Sequence, residues 1–252
     1  VYAAGSIASF VADLTSPRSF LLDGPGGSPG LVRYGTGYDF DASPIAKGES
    51  NISSTNWLTQ EAAPPYTINY YEYFKVKFGG TLPADYTTPI FPVSKPASRA
   101  TPYYVVGDMT TSGDWVVGNG ETIIFLVNGN LTLDGKVNIT GSGFAAFIVN
   151  GNITISSSVG GLYTSSSPVI EGVYVTSPTG ILKTGTSSIP GAERFVGQGM
   201  FVAGGFLLQR DLDSVGANTT TASELFLYNP RLLFTMPDSM RNVPITWEEV
   251  AP

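Results

Sequence analysis

The feature that most constrains this chain is a repeat. Residues 124–133 read IFLVNGNLTL and residues 146–155 read AFIVNGNITI, an offset of 22 residues. Self-similarity at a fixed period of this size marks stacked coils, each too small to bury its apolar face alone. The same apolar core recurs at Tyr104-Val105-Val106, Phe125-Leu126-Val127, Phe147-Ile148-Val149, Val173-Tyr174-Val175, Met200-Phe201-Val202 and Leu225-Phe226-Leu227. A strand rises ~3.3 Å per residue, so a coil of about 22 residues holds three short strands and their turns. Within a coil the period is two: Leu131 and Leu133 share a face, and Thr132 points away. These signals predict an all-β chain, a parallel β-helix (β-solenoid) of about six or more coils, forming a single domain over 1–252.

Stacking also gives the asparagines a role. Asn128 and Asn150 occupy equal coil positions, as do Asn130 and Asn152, so the four are expected to form a structural amide ladder. Asn51, Asn130, Asn138, Asn152 and Asn218 each open an N-x-S/T triplet; they are read as turn and ladder residues. Residues 1–8, VYAAGSIA, look like another coil strand beside FVAGGFLL at 201–208, with Tyr2 opposite Val202 and Ile7 opposite Leu207. On that reading the solenoid starts at the first residue and leaves an uncapped edge there. Terminal coils of solenoids need caps, and an open edge recruits another chain. Val1, Tyr2 and Ile7, with Trp247 and Val250 of the tail, are therefore candidate subunit-contact residues.

Other segments depart from the rhythm. Residues 20–23 and 31–34 suggest two strands around the turn sequence GPGGSPG. Residues 54–63 suggest a short helix capped by Ser54 or Thr55 and stopped at Pro64-Pro65. Residues 67–78 fit a helix ending at Gly79-Gly80, although their aromatic content also suits a strand. Residues 81–102 carry five prolines and read as an extended connector. Segment 35–102 is thus expected to be a helix- and Pro-containing insertion covering one side. Residues 228–252 should fold back over the coils as a tail.

The chemistry is sparse. There is no histidine or cysteine, which removes Ser-His-Asp and Cys-His systems and the usual zinc ligands. Asp39/Asp41 and Asp211/Asp213 are spaced to share a calcium or to act as acid and base, but solvated turn acids explain them as well. Arg210 is expected to pair with Asp211, Glu248 or Glu249. Lys136 and Lys183 have no evident acidic partner, and Tyr70, Tyr71, Tyr73, Phe74 and Phe78 suit a filler between segments better than a sugar-stacking patch. No catalytic residue, cofactor-binding residue or metal site is assigned, and no cofactor is expected.

Composition narrows the partners. Net charge is −7 and no basic run exists, which argues against nucleic acid. No apolar run reaches the ~20 residues of a membrane-spanning helix. Charged residues make up only 13% against a usual ~25%, while 42% are hydrophobic. A chain so poor in charge must hide its apolar surface in a well-ordered fold or against other copies of itself.

Six segments in order carry a family likeness: VYAAGSI at the start, SSTNWL at 53–58, GDW at 113–115, VNGNLT at 127–132, LLQRDL at 207–212 and ITWEEVAP at the end. Together they resemble uncharacterised secreted surface proteins of ultra-small, candidate-phyla bacteria, which carry a C-terminal β-helix region. The resemblance implies an extracellular or cell-surface address and no established activity. In that family more sequence usually precedes the first segment, so a start at Val1 reads as cleavage from a precursor. The expected function is structural and non-enzymatic: self-association, head to tail, into a homo-oligomer or surface fibre. The alternatives are a β-helix polysaccharide lyase or hydrolase and a monomeric glycan-binding adhesin.

Overall fold

The computed structural model describes strand backbones at 2–3, 6–9, 31–34, 37–39 and 58–60. It also describes residues 68–241 apart from 82, 92–93, 187–189, 213–214, 216 and 218–220. Among the described residues twenty strands and two short helices follow in chain order. They are β1 (Tyr2–Ala3), β2 (Ser6–Ser9), β3 (Leu31–Tyr34), β4 (Gly37–Asp39), β5 (Leu58–Gln60), α1 (Tyr70–Lys77), β6 (Tyr86–Thr87), β7 (Ile90–Phe91), β8 (Tyr103–Val106), β9 (Met109–Ser112) and β10 (Trp115–Val117). Next come β11 (Thr122–Asn128), β12 (Leu131–Asp134), β13 (Val137–Ile139), β14 (Phe144–Val149), β15 (Ile153–Ile155), β16 (Ile170–Val175) and β17 (Ile181–Lys183). The last are β18 (Phe195–Ala203), β19 (Gly205–Leu208), β20 (Glu224–Leu227) and α2 (Arg231–Thr235).

The chain alternates between two sheets. The larger runs β5-β3-β1-β18-β16-β14-β11-β8-β6, and the smaller runs β4-β2-β19-β17-β15-β12-β9-β7. Every strand pairing is parallel. The result is a mostly β molecule with two interleaved all-parallel sheets, an arrangement consistent with a parallel β-solenoid. A rung here means the strands at one level of that stack.

The repeat sets the register of the middle rungs. Residues 122–127 pair with 144–149, the 22-residue offset read from the sequence. Through the next rungs Tyr104, Leu126, Ile148, Val175 and Val202 stand in one column. Three of the expected cores are therefore displaced by one residue relative to this column, at Val105, Tyr174 and Phe201. Leu225-Phe226-Leu227 pairs instead with the first half of β18, opposite Val196, Gly197 and Gln198. On the inner face Tyr103, Phe125, Phe147, Tyr174 and Phe201 form a column of rings. Their successive centroids lie 5.3, 5.5, 5.1 and 5.3 Å apart, and the last three pairs are within 10° of parallel. At the corner between the sheets the rungs approach so closely that a Cβ on Gly129 would lie 2.4 Å from the Gly107 carbonyl carbon, which excludes any larger residue without backbone movement.

Tyr2 and Ile7 do not sit at an open edge. β1 lies between β18 and β3, and β2 between β19 and β4, so both backbone edges of the first rung are taken within the chain. The likeness of 1–8 to 201–208 reflects stacking of one on the other. Tyr2 faces Val202 as aligned, whereas Ile7 faces Phe206, because the turn after Ala203 is one residue shorter. The stack therefore begins in mid-chain, at β6 and β7, winds up to β18 and β19, and continues through the N-terminal strands to β5.

The segment 35–102 supplies more than lateral cover. Leu58–Gln60 is a strand on β3, not helix, because it completes a parallel edge there. The Pro-rich connector contributes β6 and β7, which pair on β8 and β9. They flank Pro89 at the outside of the stack, where a missing donor is tolerated. The expected helix at 67–78 is α1. Asn69 caps it: the Asn69 side-chain oxygen accepts from Glu72 N at 3.3 Å. At its C-terminus Gly79 N donates to Val76 O and Gly80 N to Lys75 O, both glycines having positive φ. This paired closure satisfies carbonyls the helix would otherwise orphan.

α1 explains why the larger sheet is apolar on both faces. Tyr71, with Phe74 and Phe78 beside it, packs on the outer face formed by Tyr104, Ile124, Leu126, Ala146, Ile148, Val173 and Val175. The tail closes over the same face: Leu232 of α2 and Met240 are buried in this cluster, while Leu233 and Phe234 are exposed. The second described helix lies in the tail. The strand expected at 20–23 and Asp41, Val1, Trp247, Val250, Glu248 and Glu249 lie outside the described residues.

Candidate functional site

The asparagine positions are brought together by the rungs. Asn150 Nδ2 donates to Asn128 Oδ1 at 3.1 Å. Asn130 Oδ1 accepts from Asn152 N at 2.9 Å, and Asn152 Oδ1 accepts from Ile181 N at 2.8 Å. Asp108 starts this second column, its Oδ1 accepting from both Asn130 N and Asn130 Nδ2. In this second column the Asp108, Asn130 and Asn152 oxygens each accept from a backbone N–H of the next rung, at the turn between the two sheets. Each of the four asparagines thus takes part in a hydrogen bond to a neighbouring rung of the protein itself.

Arg210 is buried, and its five N–H groups donate to five backbone carbonyls: Thr184, Ser157, Ala192, Ser156 and Val159, at 2.8–3.0 Å. The expected ion pair with Asp211 is replaced by this carbonyl cradle. The carboxylate that serves it is Glu224, whose Oε1 accepts from Arg210 N at 2.7 Å and from Thr184 Oγ1 at 2.9 Å. Burial lowers the Arg210 guanidinium to about 10 and raises Glu224. Both shifts have desolvation as their main cause, which fits a group that holds loops rather than substrate. Sequence reasoning singled out Arg210 and missed Glu224, which stands alone before an apolar strand.

Asp39 sits in β4 with its backbone opposite Ala8, and Asp211 follows β19; their proposed partners Asp41 and Asp213 lie outside the described residues. Among the described residues no three acidic side chains gather to hold a metal ion. No described helix is long and apolar enough to cross a membrane. The aromatic set on α1 is divided: Tyr71 is buried in the cover, and Tyr73 is 41% exposed.

A cleft that the sequence did not announce lies between α2 and the outer side of β13, β16 and β18. Its volume is about 190 Å³, and Glu171, Gln198, Asn229 and Arg231 converge on it over a floor of Ile139 and Leu232. Glu171 Oε2 accepts from Ile139 N at 2.8 Å, and burial raises its carboxyl above the ordinary range. No described salt bridge joins Glu171 to Arg231. The cleft thus offers one acidic and one basic group, each with capacity for a polar ligand. Nothing in the sequence links these residues, since Glu171 and Arg231 are far apart and belong to no motif.

No protein-family model matches this chain, and no curated protein or solved structure matches it significantly.

Proposed function

We propose that this chain is a non-enzymatic structural protein of the cell surface or extracellular space. In this reading it is a parallel β-solenoid that associates head to tail with other copies of itself. The observation that carries the reading is the character of the stack's ends. Because every strand runs the same way, the two ends are unlike. At one end β6 and β7 each pair on a single side among the described residues, and Ile90 of β7 is 73% exposed. At the other end β5 likewise pairs only with β3 among the described residues. Unpaired strand edges recruit strands of another chain. A contact between unlike ends does not close on itself and so propagates as a fibre. The low charge and the resemblance to secreted surface proteins support the same address. The route first read from residues 1–8 is set aside, since their edges are occupied within the chain.

Sedimentation velocity across a wide concentration range tests the proposal. Species growing beyond the monomer with rising concentration are expected. A single monomeric boundary at every concentration contradicts it.

A second reading is favoured by the cleft: a glycan-binding adhesin in which Glu171, Gln198, Asn229 and Arg231 take the hydroxyls of one sugar residue. A small polar cavity with a few converging groups over an apolar floor is the usual form of such a site. Binding on a glycan array that disappears in Glu171→Gln and Arg231→Ala would support it. Both readings can hold in one molecule, because the cleft is remote from the ends of the stack.

A further inference from the structure

We propose that the head-to-tail contact forms by exchange, with β1–β5 of one copy stacking on β18 and β19 of the next. The inference deepens the structural reading above and rests on it.

The order of the rungs is the starting point. From β6 up to β19 the stack follows the chain, and from β1 to β5 it does so again. Between these runs lies a seam, where Tyr2 pairs with Val202 and Ile7 with Phe206. It is the level at which neighbouring rungs are not joined by consecutive chain. In sequence β5 is joined to β6 by residues 61–85, within which α1 lies against the outer face of the larger sheet. From β5 to β6 is eight steps between neighbouring strands, about 38 Å at a spacing of ~4.8 Å.

A head-to-tail fibre changes that distance. When β6 of one copy stacks on β5 of another, Gln60 and Tyr86 of different copies stand one step apart, about 4.8 Å. Strand direction and the sense of winding match across this contact, because both runs climb the stack in the same sense. Residues 61–85 can therefore link a β5 and a β6 that are neighbours across the contact instead of the two at opposite ends of one copy. Each chain then climbs the fibre in sequence order, β1–β5 first and β6–β19 after, and its β18–β19 edge receives β1 and β2 of the next copy. Every strand pairing of the closed molecule is kept, and α1 still covers β11 and β14 of its own chain. Only the course of the connection differs. Exchange of identical elements is a low-cost route to association because the contacts are the same in both forms. The difference left is the entropy of the connection, and that changes slowly with the length it must span. Covalent continuity across what would otherwise be the weakest level converts edge-to-edge contact into a chain that dissociates slowly.

The protein has no cysteine, so introduced thiols report the seam cleanly. Ala3→Cys and Ala203→Cys face each other in register in the larger sheet, and Ala8→Cys and Leu207→Cys do so in the smaller. Two single variants are co-expressed as full chains, oxidised, and their disulfide-linked peptides identified by mass spectrometry; the second pair covers a folding failure of the first. Exchange predicts a disulfide between residue 3 of one chain and residue 203 of another, within assemblies seen by electron microscopy. The matching double variant, Ala3→Cys with Ala203→Cys, is then expected to give a covalent ladder. Assemblies whose double variant links only within one chain overturn the exchange and leave the head-to-tail reading standing. Cross-linked pairs without longer assemblies support exchange and overturn the fibre. A monomer whose double variant links only internally overturns both.

Discussion

The two sheets of this molecule are built from the same turns of chain, yet they are stabilised differently. In the larger sheet, β11 reads TIIFLVN and β14 FAAFIV, and every residue from Ile123 to Val127 and from Phe144 to Val149 is buried. In the smaller sheet, β12 reads LTLD and β15 ITI, with buried residues alternating with partly exposed threonines. The difference is what lies outside. α1 and the tail cover the larger sheet, so side chains on both of its faces leave water. The smaller sheet has no described cover, and its outward column of Thr110, Thr132 and Thr154 faces solvent. Continuous apolar runs belong to parallel strands buried on both sides, and alternation belongs to those with one wet face. A cover decides which residues a rung can carry and how much each stabilises.

The strongest challenge to that contrast is to open the core and the cover separately. Phe147→Ala removes the central ring of the inner column and should cost about 3–5 kcal/mol. Ile148→Ala, one residue on and beneath the cover, should cost about 2–5 kcal/mol. Urea unfolding of both variants checks this; an Ile148→Ala loss below about 1 kcal/mol would mean that the cover does not exclude water.

Arg210 tests whether the smaller sheet relies on polar ties where it lacks a cover. It holds the turns that leave β15 and β17 through Ser156, Ser157, Val159 and Thr184. Arg210→Ala orphans five carbonyls, and about 3–5 kcal/mol should be lost, as when a buried charge network is broken. Arg210→Lys should not restore it, since a single ammonium cannot reach the five acceptors that a planar fork does. Recovery of the wild-type unfolding midpoint by lysine would show that charge alone suffices.

A smaller effect concerns the end of the larger sheet. Asp85 Oδ2 accepts from Tyr104 N at 2.8 Å, and its two oxygens take a fork from Arg99 at 3.0 and 2.6 Å. The Arg99 hydrogen bonds hold the Asp85 carboxyl below its ordinary range. A lowered value in the folded state means that the contribution is present above the unfolded carboxylate value and is lost as pH falls through the folded one. Because both side chains are about a third exposed, solvent limits it to about 1 kcal/mol or less. Asp85→Asn should therefore lower stability at neutral pH by about that amount, leave stability at low pH nearly unchanged, and so flatten the acid limb of a stability-against-pH curve. Glu171 works in the opposite sense, since burial raises it: what it contributes is present below the unfolded value and is lost as pH rises through the folded one.

The smallest effect belongs to the bare face. Thr132→Val should change stability by no more than about 0.5 kcal/mol. A large change would reveal something packed on that surface.

Local patterns made the middle of the molecule legible. The VNGN repeat carried the register of β11 on β14, and the threonine alternation marked the wet sheet. Gly79-Gly80 marked where α1 stops. What failed was the inference from likeness to position. The match of VYAAGSIA to FVAGGFLL contained the pairing of Tyr2 with Val202, yet as a sequence it reads equally as a distant repeat, and no local pattern states that the first rung sits on the sixth. Leu58–Gln60 reads as helix in isolation because its strand character comes entirely from β3. Glu171 and Arg231 line one cleft only because α2 folds back, so no spacing could have linked them.

The central claim is that unlike ends of one parallel stack meet. The larger sheet has nine strands along its path, so one copy should advance a fibre by about 43 Å at ~4.8 Å per strand. Cryo-electron microscopy of the concentrated protein measures this directly. The account predicts filaments with a subunit rise near that value and strands perpendicular to the fibre axis. Filaments built side by side, with strands along the axis, or closed particles with two-fold symmetry would contradict it.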